Sequence, residues 1–344
     1  MILISFGTRP EFIKVKPLID LLEGKLQYKL LFTGQHVDLL SKIGIETNLI
    51  KLNIEEGINR LDSIVSSVMN SEHIFHNVTS VLVQGDTTSA FAIALASFHR
   101  RIKVIHLEAG LRTYDKNQPY PEEFNRQSIS RIADVHLCPT QLSKQFLINE
   151  KTQGDIHVVG NTVLDNLKDV DTEYTNKIVV TMHRRENHHN MDKWFQVLNT
   201  LAVENPNLEF IIPLHPNPNV QKHKHLLKNL KIVDPIEYNE FISLLAKTKF
   251  VITDSGGLQE ETSFLGKKCI VCREKTERLE GIDTFAFLCP SPNNLADIFY
   301  KINSDHVPYG NCPYGDGHAS KRVYEIIKHE NKNKIYKSRL LSNN

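Results

Sequence analysis

The sequence has little of several features that would point to particular classes of protein. Among its 344 residues are one tryptophan, four methionines and five cysteines. No apolar run approaches the roughly 20 residues that a membrane-spanning helix needs. Basic and acidic residues number 41 and 40, which gives a formal net charge of +1. This balance gives no reason to expect a nucleic acid or an anionic membrane as partner, so an anionic ligand would need a local site.

The five cysteines are odd in number and scattered along the chain. Cys269 and Cys272 form a single C-x-x-C, but no second pair stands at metal-ligand spacing. Because "KKCIVC" has the composition of a buried strand, we interpret both thiols as packing residues rather than as a zinc or redox site. The opening run "MILISFGTRPEF" lacks the features of a signal peptide. The expected compartment is therefore the reducing cytoplasm.

Short apolar runs alternate with amphipathic stretches, which is typical of parallel sheets covered by helices on both faces. The predicted strands are 2–6, 28–33, 80–84, 103–107, 135–139, 156–160, 177–182, 208–214, 249–254 and 268–272. Helical patterns lie at 87–100, 124–135, 191–204 and 239–247. The length predicts two domains, and the polar segment 167–177 is the best linker candidate. After about residue 328 the chain is expected to be frayed or solvated.

In doubly wound folds, ligands bind outside the carboxyl ends of the strands. Glu108 directly follows a predicted strand and Glu122 precedes a predicted helix, within "HLEAGLRTYDKNQPYPEEFNR" (106–126). Asp86 ends another strand, where a helix cap is the alternative interpretation. The segment is either a solvated charged loop or a place where protons are transferred.

Other strand ends carry groups suited to an anion. Arg9 follows Gly7 at the start of a helix, although an ordinary strand-to-helix turn would look similar. In the second half, Ser255, Gly256 and Gly257 stand at a helix start and could hold a diphosphate. A serine-capped structural turn is the alternative there. Glu260 and Glu261 follow, and one of them could accept hydrogen bonds from a ribose diol.

Two histidines also stand at strand ends in the second half. His183 precedes Arg184 and Arg185, and His215 follows the next strand. These positions favour anion binding or exposure over a place in the core. No metal site is indicated, because the carboxylates are not matched with histidines at ligand spacing. The absence of G-x-G-x-x-G and G-x-S-x-G argues against a nicotinamide oxidoreductase and an α/β-hydrolase.

Ten ordered motifs, spread from residue 1 to about residue 327, resemble the non-hydrolysing UDP-N-acetylglucosamine 2-epimerases. They are GTRPEFIK, QGDTT, HLEAGLRT, PEEFNR, GNTVLD, HRREN, HPNPN, TDSGGLQEE, TER and PYGDGHAS. The resemblance implies an α/β, glycosyltransferase-B-like fold with two Rossmann-like domains, over 1–168 and 169–318, and a central cleft. It also implies a final helix within 319–344 that crosses back to the first domain, followed by a polar tail.

The resemblance further implies a cytoplasmic homodimer that interconverts UDP-N-acetylglucosamine and UDP-N-acetylmannosamine without a cofactor. The implied route eliminates UDP and passes through 2-acetamidoglucal. The implied catalytic residues are Asp86, Glu108, Glu122 and His183, without assigning which carboxylate is the base. The implied substrate-binding residues are Arg9, Lys14, Arg112, His215, Ser255, Gly256, Gly257, Glu261 and Arg278. Arg9, His183 and residues 255–257 would hold the diphosphate, and Glu261 the ribose.

Three departures from the family pattern stand out. Leu279 replaces the usual proline of T-E-R-P-E. Gln35 matches a pocket that binds a second substrate molecule as activator in many members, but Asp38 and Ser67 stand where glutamine and arginine are usual. The chain is also shorter than usual around residues 170–178.

Several functions remain open from the sequence. The scaffold could act on a related UDP-2-acetamido sugar such as a uronic acid, or hydrolyse the intermediate and release free N-acetylmannosamine. A glycosyltransferase lacks a nameable acceptor feature. A non-catalytic nucleotide-sugar sensor would be expected to have a damaged carboxylate set, whereas Asp86, Glu108 and Glu122 are all present.

Overall fold

The computed structural model describes residues 1–35, 49–52, 54 and 57–341, with side chains to residue 330. The chain divides into two compact units. Unit 1 comprises Met1–Asn166 together with Gly315–Asn344, and unit 2 comprises Leu167–Tyr314. Unit 1 is therefore built from two separate segments of the chain, whereas unit 2 is continuous.

The described part of unit 1 contains a seven-stranded parallel sheet. Its strands are β1 (Ile2–Phe6), β2 (Tyr28–Phe32), β3 (Leu49–Lys51), β4 (Ser80–Gln84), β5 (Lys103–Leu107), β6 (Val135–Cys138) and β7 (Asp155–Val158). They are ordered β3-β2-β1-β4-β5-β6-β7. β4 pairs with β5 in register from Ser80 opposite Lys103 to Gln84 opposite Leu107, so these two strands end side by side. Successive side chains of β1 enter the two cores on opposite faces of the sheet.

Helices cover both faces of this sheet. They are α1 (Arg9–Leu22), α2 (Arg60–Met69), α3 (Thr88–His99), α4 (Glu122–Ile132), α5 (Gln141–Asn149) and a final helix, here called α11 (Ala319–Leu341). α1 begins with a capping box between Thr8 and Glu11. Val323 and Ile327 of α11 belong to the same apolar core as the buried face of α1. The two oxygens of Asp165 accept the backbone N–H groups of Ala319 at 2.9 Å and Ser320 at 2.7 Å, which ties the start of α11 to unit 1.

Unit 2 repeats the design with six parallel strands. They are β8 (Lys177–Thr181), β9 (Glu209–Pro213), β10 (Lys231–Val233), β11 (Phe250–Thr253), β12 (Cys269–Val271) and β13 (Ala286–Leu288). Their order is β10-β9-β8-β11-β12-β13. The helices are α6 (Met191–Glu204), α7 (Pro218–Gln221), α8 (Tyr238–Ala246), α9 (Leu258–Phe264) and α10 (Leu295–Ser304). Trp194 and Phe195 of α6 pack with Phe299 of α10 on one face.

All ten predicted strands are present, and the parallel α/β class is confirmed. Three further strands, β3, β10 and β13, were not predicted; each has three residues and lies at the edge of a sheet. The expectation of a frayed tail after residue 328 was wrong in one respect, because α11 continues to Leu341. Lysine, glutamate and arginine have high helix propensity, so a segment rich in them can be helical even though it has no apolar face. No helix in the described part of the chain is long and apolar enough to cross a membrane.

Candidate active site

The carboxyl ends of β4 and β5 bring two predicted acid–base residues next to each other in the sheet. Asp86 lies two residues beyond the end of β4, and Glu108 directly follows β5. The backbone N–H of Gly85 donates to the carbonyl of Leu107 at 2.9 Å, which extends the pairing up to these residues. Since neighbouring strands lie about 4.8 Å apart, both carboxylates start from adjoining backbone at one edge of unit 1.

Glu108 is a buried carboxylate held by three donor side chains. Lys14 Nζ donates to Oε1 at 2.7 Å and to Oε2 at 2.5 Å. Asn161 Nδ2 donates to Oε1 at 3.1 Å, and Gln84 Nε2 donates to Oε2. A buried charge is costly unless it is paired and hydrogen-bonded. The lysine and the two amides meet that requirement and fix the orientation of the carboxylate.

The backbone of Glu108 is itself unusual. Its φ is +67°, in the left-handed region that residues with a Cβ rarely adopt. Such a conformation costs on the order of 1–2 kcal/mol in an L-residue. The backbone N–H of Glu108 donates to the Leu137 carbonyl of β6 at 3.0 Å. Strain retained at one acidic residue at a strand end is typical of a functional position.

Asp86 is held by a different kind of partner. Arg126 donates to Asp86 Oδ2 from Nε at 2.9 Å and also from Nη2. Arg126 Nη1 donates to Glu123 Oε2 at 3.0 Å, and Glu123 is fully buried. Asn125 Nδ2 donates to the Asp86 carbonyl at 2.9 Å. α4 therefore positions the end of β4 through two successive side chains.

The remaining predicted acid, Glu122, is the first residue of α4 and is partly exposed. One residue further on, Glu123 accepts the backbone N–H groups of Thr113 and Tyr114, each at 3.0 Å. These bonds tie the charged loop to the helix that carries Glu122. The loop between Glu108 and Glu122 is thus anchored at both ends.

Arg112, which was predicted to support the ligand, is held by partners within unit 1. Its guanidinium is buried and donates to both oxygens of Glu150, from Nε at 2.7 Å and from Nη2 at 2.9 Å. It also donates to the Leu111 carbonyl and to Ser130 Oγ. This geometry favours a positioning role for Arg112 within unit 1 over a direct ligand contact.

Arg9 starts α1, directly after a turn built on a buried acid. Glu11 Oε2 accepts the backbone N–H of Gly7 at 2.9 Å and that of Thr8 at 2.7 Å. Its Oε1 accepts the hydroxyl of Thr87, the residue that caps α3, at 2.6 Å. Burial raises the pKa of the Glu11 carboxyl, against the opposing effect of these hydrogen bonds. Glu11 therefore joins the strand ends of β1 and β4.

Two histidines lie inside the sheet rather than at its edge. His106 and His136 face each other across β5 and β6, and both are fully buried. His106 Nε2 hydrogen-bonds to the Gly85 carbonyl at 2.8 Å. Burial lowers the pKa of His106 to about 3 and also lowers the pKa of His136. Both rings are neutral core groups at physiological pH.

In unit 2, a buried aspartate organises the loop that carries His183. Asp254 Oδ2 accepts the backbone N–H groups of His183 at 2.9 Å and Arg184 at 2.8 Å. It also accepts Asn187 Nδ2 at 3.2 Å. The other oxygen, Oδ1, lies 3.7 Å from His183 Nδ1. Asp254 follows β11, so one strand end fixes the loop that follows β8.

His183 and His215, which were both predicted to stand at strand ends, lie next to each other in unit 2. Their rings stack with centroids 5.0 Å apart and an interplanar angle of 16°. Burial lowers the pKa of each ring, and the Asp254 carboxylate opposes that shift in both. The imidazole pair therefore presents neutral rings, with a carboxylate beside them that would stabilise a proton on His183.

The turn of residues 255–257 sits on a buried ion cluster. A Cβ built on Gly256 would lie 2.8 Å from Arg278 Nη1 and 2.8 Å from Glu277 Oε1, so any side chain there would require these two groups to shift. Arg278 Nε donates to Glu260 Oε1 at 2.8 Å, and Arg278 Nη1 donates to Glu277. Ser255 is partly exposed next to this turn. Arg278 is therefore buried beneath the glycines, and its role in supporting the ligand stays a prediction.

Glu261, the predicted ribose ligand, is buried on α9. Tyr238 Oη donates to its Oε1 at 2.9 Å. Gln35, which matches the family pattern, accepts Ser89 Oγ at its Oε1 at 2.8 Å. Of the departures from that pattern, Leu279 is 44% exposed. Ser67 lies on α2, whereas Asp38 lies outside the described residues.

The sequence interpretation missed most of the partners that hold the predicted groups. They are Glu11, Gln84, Glu123, Arg126, Asn161, Tyr238 and Asp254. Asp254 carried a usable signal, because it directly precedes Ser255 at the end of a predicted strand. Asn161 carried a signal as well, because it lies in the GNTVLD motif, whereas no local pattern distinguishes Tyr238 from other tyrosines.

Comparison with known proteins identifies relatives along almost the whole chain. The family model described as UDP-N-acetylglucosamine 2-epimerase matches residues 21–328. A UDP-N-acetylglucosamine 2-epimerase from Campylobacter jejuni is 37% identical over 371 aligned positions, which cover 95% of this chain and 97% of that protein.

Solved structures agree with this match. The crystal structure of UDP-GlcNAc 2-epimerase from Neisseria meningitidis bound to UDP-GlcNAc is 34% identical, with a TM-score of 0.87, and covers 95% of this chain and 99% of that one. The Methanocaldococcus jannaschii UDP-GlcNAc 2-epimerase in complex with UDP-GlcNAc and UDP is 28% identical, with a TM-score of 0.80 and coverage of 95% and 99%.

Two doubly wound parallel units with polar groups at their strand ends define a glycosyltransferase-B-like, two-domain α/β protein. With the matches above, the chain belongs to the UDP-N-acetylglucosamine 2-epimerase family. It is accordingly an enzyme of the isomerase class.

Proposed function

We propose that the protein reversibly converts UDP-N-acetylglucosamine to UDP-N-acetylmannosamine without net hydrolysis. A base removes the C2 proton as the C1–O bond breaks, and the bonding electrons leave with UDP. The resulting 2-acetamidoglucal receives a proton at C2 on the opposite face, and UDP adds back at C1. Atoms and charge balance, because the proton lost is replaced and UDP is recovered.

The observation that carries this proposal is the pair of differently held carboxylates on adjoining strand ends of unit 1. Glu108 is clamped by Lys14, and Asp86 is clamped by Arg126. Inversion at C2 requires proton removal and proton delivery by groups on different sides of the carbon. Glu122 at the start of α4 is the third candidate. We propose these three as the acid–base set, without dividing the two roles among them.

Unit 2 supplies most of the proposed contacts to UDP. We assign the diphosphate to Ser255, Gly256 and Gly257, together with His183 and Arg9, and the ribose to Glu261. His215 supports His183 through its stacked ring. Positive charge and N–H donors at the diphosphate stabilise the UDP that leaves. Crystal structures of two relatives contain UDP-GlcNAc, which supports this ligand class.

The direct test is turnover of UDP-N-acetylglucosamine in deuterated water, followed by NMR. The expected product is UDP-N-acetylmannosamine with deuterium at C2, and deuterium also enters C2 of the recovered substrate because the reaction is reversible. Epimerised product without deuterium would contradict proton exchange at C2. Bulk release of free sugar and UDP would instead indicate a hydrolysing enzyme, and turnover of only a uronic-acid analogue would indicate a related substrate.

We further propose that the enzyme works in the cytoplasm as a homodimer and supplies N-acetylmannosamine units for surface polysaccharide. All five cysteines are free and four of them are buried, which suits a reducing compartment. Burial raises the pKa of the Cys269 thiol to about 12, as expected for a packing residue. Sedimentation of the purified protein tests the dimer.

A further inference from the structure

Tyr238 and Glu261 of unit 2 form a tyrosine–carboxylate contact to which the proposed reaction assigns no role. Tyr238 Oη donates a hydrogen bond of 2.9 Å to Glu261 Oε1. Tyr238 is the first residue of α8, and Glu261 lies on α9, 23 positions further along the chain. The contact therefore joins two helices that β11 separates in the sequence.

The surroundings make this a directed hydrogen bond. Glu261 is only 6% exposed, while Tyr238 is partly buried at the start of its helix. Burial and the neighbouring Glu261 carboxylate both raise the pKa of the Tyr238 hydroxyl. The hydroxyl thus keeps its proton and acts as the donor, and the carboxylate is the acceptor.

We infer that Tyr238 is a positioning residue that sets the orientation of Glu261 and thereby makes the nucleotide site selective for a ribose over a 2′-deoxyribose. This inference rests on the proposed role of Glu261 at the ribose. A carboxylate reads a vicinal diol only when the plane of its oxygens faces both hydroxyls. Rotation about the last side-chain bond of glutamate is broad and weakly restricted.

The tyrosine hydroxyl restricts this rotation. Its hydrogen bond at Oε1 uses one of the several lone pairs through which a carboxylate can accept hydrogen bonds. Because the orientation of the carboxylate is already set, binding of the ligand does not have to offset the entropy of ordering this side chain. A pre-oriented acceptor also penalises a nucleotide that lacks one hydroxyl, since a buried acceptor is then left without its partner.

The experiment compares dissociation constants of UDP and 2′-deoxy-UDP by calorimetry for the full-length protein and three variants. In the wild type, UDP is expected to bind more tightly than 2′-deoxy-UDP. In Tyr238→Phe, UDP binding is expected to weaken about five- to tenfold, the effect of one typical hydrogen bond. Binding of 2′-deoxy-UDP should change less than twofold, so the selectivity falls.

A matched control is available in the same unit. Tyr300 Oη donates to Glu204 Oε2 at 2.7 Å, again joining two helices, but at the exposed surface. Tyr300→Phe removes an equivalent tyrosine–glutamate bond and should leave both dissociation constants unchanged. Glu261→Gln serves as the reference for complete loss of ribose reading.

The possible results distinguish a failure of the proposed function from a failure of the inference about Tyr238. Absence of UDP binding by the wild type would overturn the proposed function itself. If the wild type binds UDP and Glu261→Gln loses selectivity while Tyr238→Phe keeps it, the inference about Tyr238 is wrong and the proposed function stands. Equal weakening of UDP and 2′-deoxy-UDP by Tyr238→Phe would also overturn it, because the hydroxyl would then act elsewhere than through the ribose.

Discussion

The two units share a strand order but hold their functional groups in different ways. In each sheet, the first strand of the unit lies between the second and the fourth. In unit 1, the acids at the strand ends are held by side chains, as Glu108 is by Lys14. In unit 2, Asp254 follows β11, which takes the place of β4 in its sheet, and it is held mainly by backbone N–H groups, whereas Asp86 after β4 is held by Arg126. The same scaffold thus supports two solutions for a charged group.

The difference corresponds to two kinds of chemistry. Side-chain partners orient a carboxylate without fixing the course of the backbone. Backbone partners instead fix the course of a loop, and in unit 2 they fix the loop that carries His183. Unit 1 is therefore organised for proton transfer and unit 2 for holding an anion in place, in the division that we propose. The predictions below test this division, beginning with the largest expected effect.

Glu108→Gln should remove proton transfer without removing nucleotide binding. We expect kcat to fall by about 10²- to 10⁴-fold, the usual contribution of a general acid or base. The dissociation constant of UDP should change little, because Glu108 is not among the residues assigned to the diphosphate. Steady-state kinetics and calorimetry check the two quantities.

Glu150→Gln is the matched control, since it also converts a partly buried, cation-paired carboxylate of unit 1 into an amide. Its kcat should stay within a few-fold of the wild type. A comparable loss of kcat in both variants would show that general damage to unit 1, rather than lost proton transfer, explains the effect of Glu108→Gln.

Arg126→Lys should disturb Asp86 through its partner. Arginine contacts Asp86 and Glu123 at once, and a lysine ammonium cannot reproduce that fork. We expect kcat to fall about ten- to a hundredfold, as small misplacements of catalytic groups do. Arg112→Lys makes the same change in the Arg112–Glu150 pair and should affect stability more than kcat. A large rise of KM in Arg112→Lys would instead indicate that Arg112 contacts the substrate directly.

Two neighbouring glycines test the backbone character of unit 2. Gly256→Ala places a methyl group 2.8 Å from Arg278 and Glu277, so we expect a destabilisation of about 1–3 kcal/mol. Gly257→Ala meets no atom within 4 Å and has a helical φ of −60°, so it should be neutral or slightly stabilising. Thermal unfolding of both variants without ligand makes the comparison. Equal unfolding midpoints would show that the ion cluster simply moves aside.

The smallest effect concerns the buried histidines of unit 1. The folded-state pKa of His106 is about 3, below the ordinary 6.5, so only the unfolded chain takes up a proton between these values. Stability is therefore full above pH 6.5 and falls with acidification, by about 1.4 kcal/mol per pH unit for this group. His106→Gln should lose less stability than the wild type between pH 7.5 and 5.5 in urea unfolding. Identical losses would contradict the assignment.

Much of the fold was predictable because buried parallel strands have a strong local signal. The central strands, such as β4 and β11, are continuous apolar runs that the sequence displays directly. β3, β10 and β13 escaped because three residues at a sheet edge are too few to form a pattern. Their place in the sheet depends on pairing with a neighbour rather than on their own composition.

The site was predictable at the level of which side chains stand at strand ends, as Asp86 and Glu108 show. Their partners were not, because pairing across long sequence separations leaves no local trace. Lys14 and Glu108 are 94 positions apart. Arg112 illustrates the converse. It lies close to Glu108 in the sequence, yet its charge is paired with Glu150, which directly follows α5.

The discontinuity of unit 1 has a consequence for how the protein is made. On the ribosome, residues 1–166 emerge first, but the apolar core that packs against α1 then still lacks Val323 and Ile327 of the last helix. Unit 2 is continuous and can complete its own core while the rest of the chain is synthesised. Only when Asp165 meets the backbone of Ala319 does the earlier segment close. The half of the protein that carries the acids is thus the first to be translated and the last to be finished.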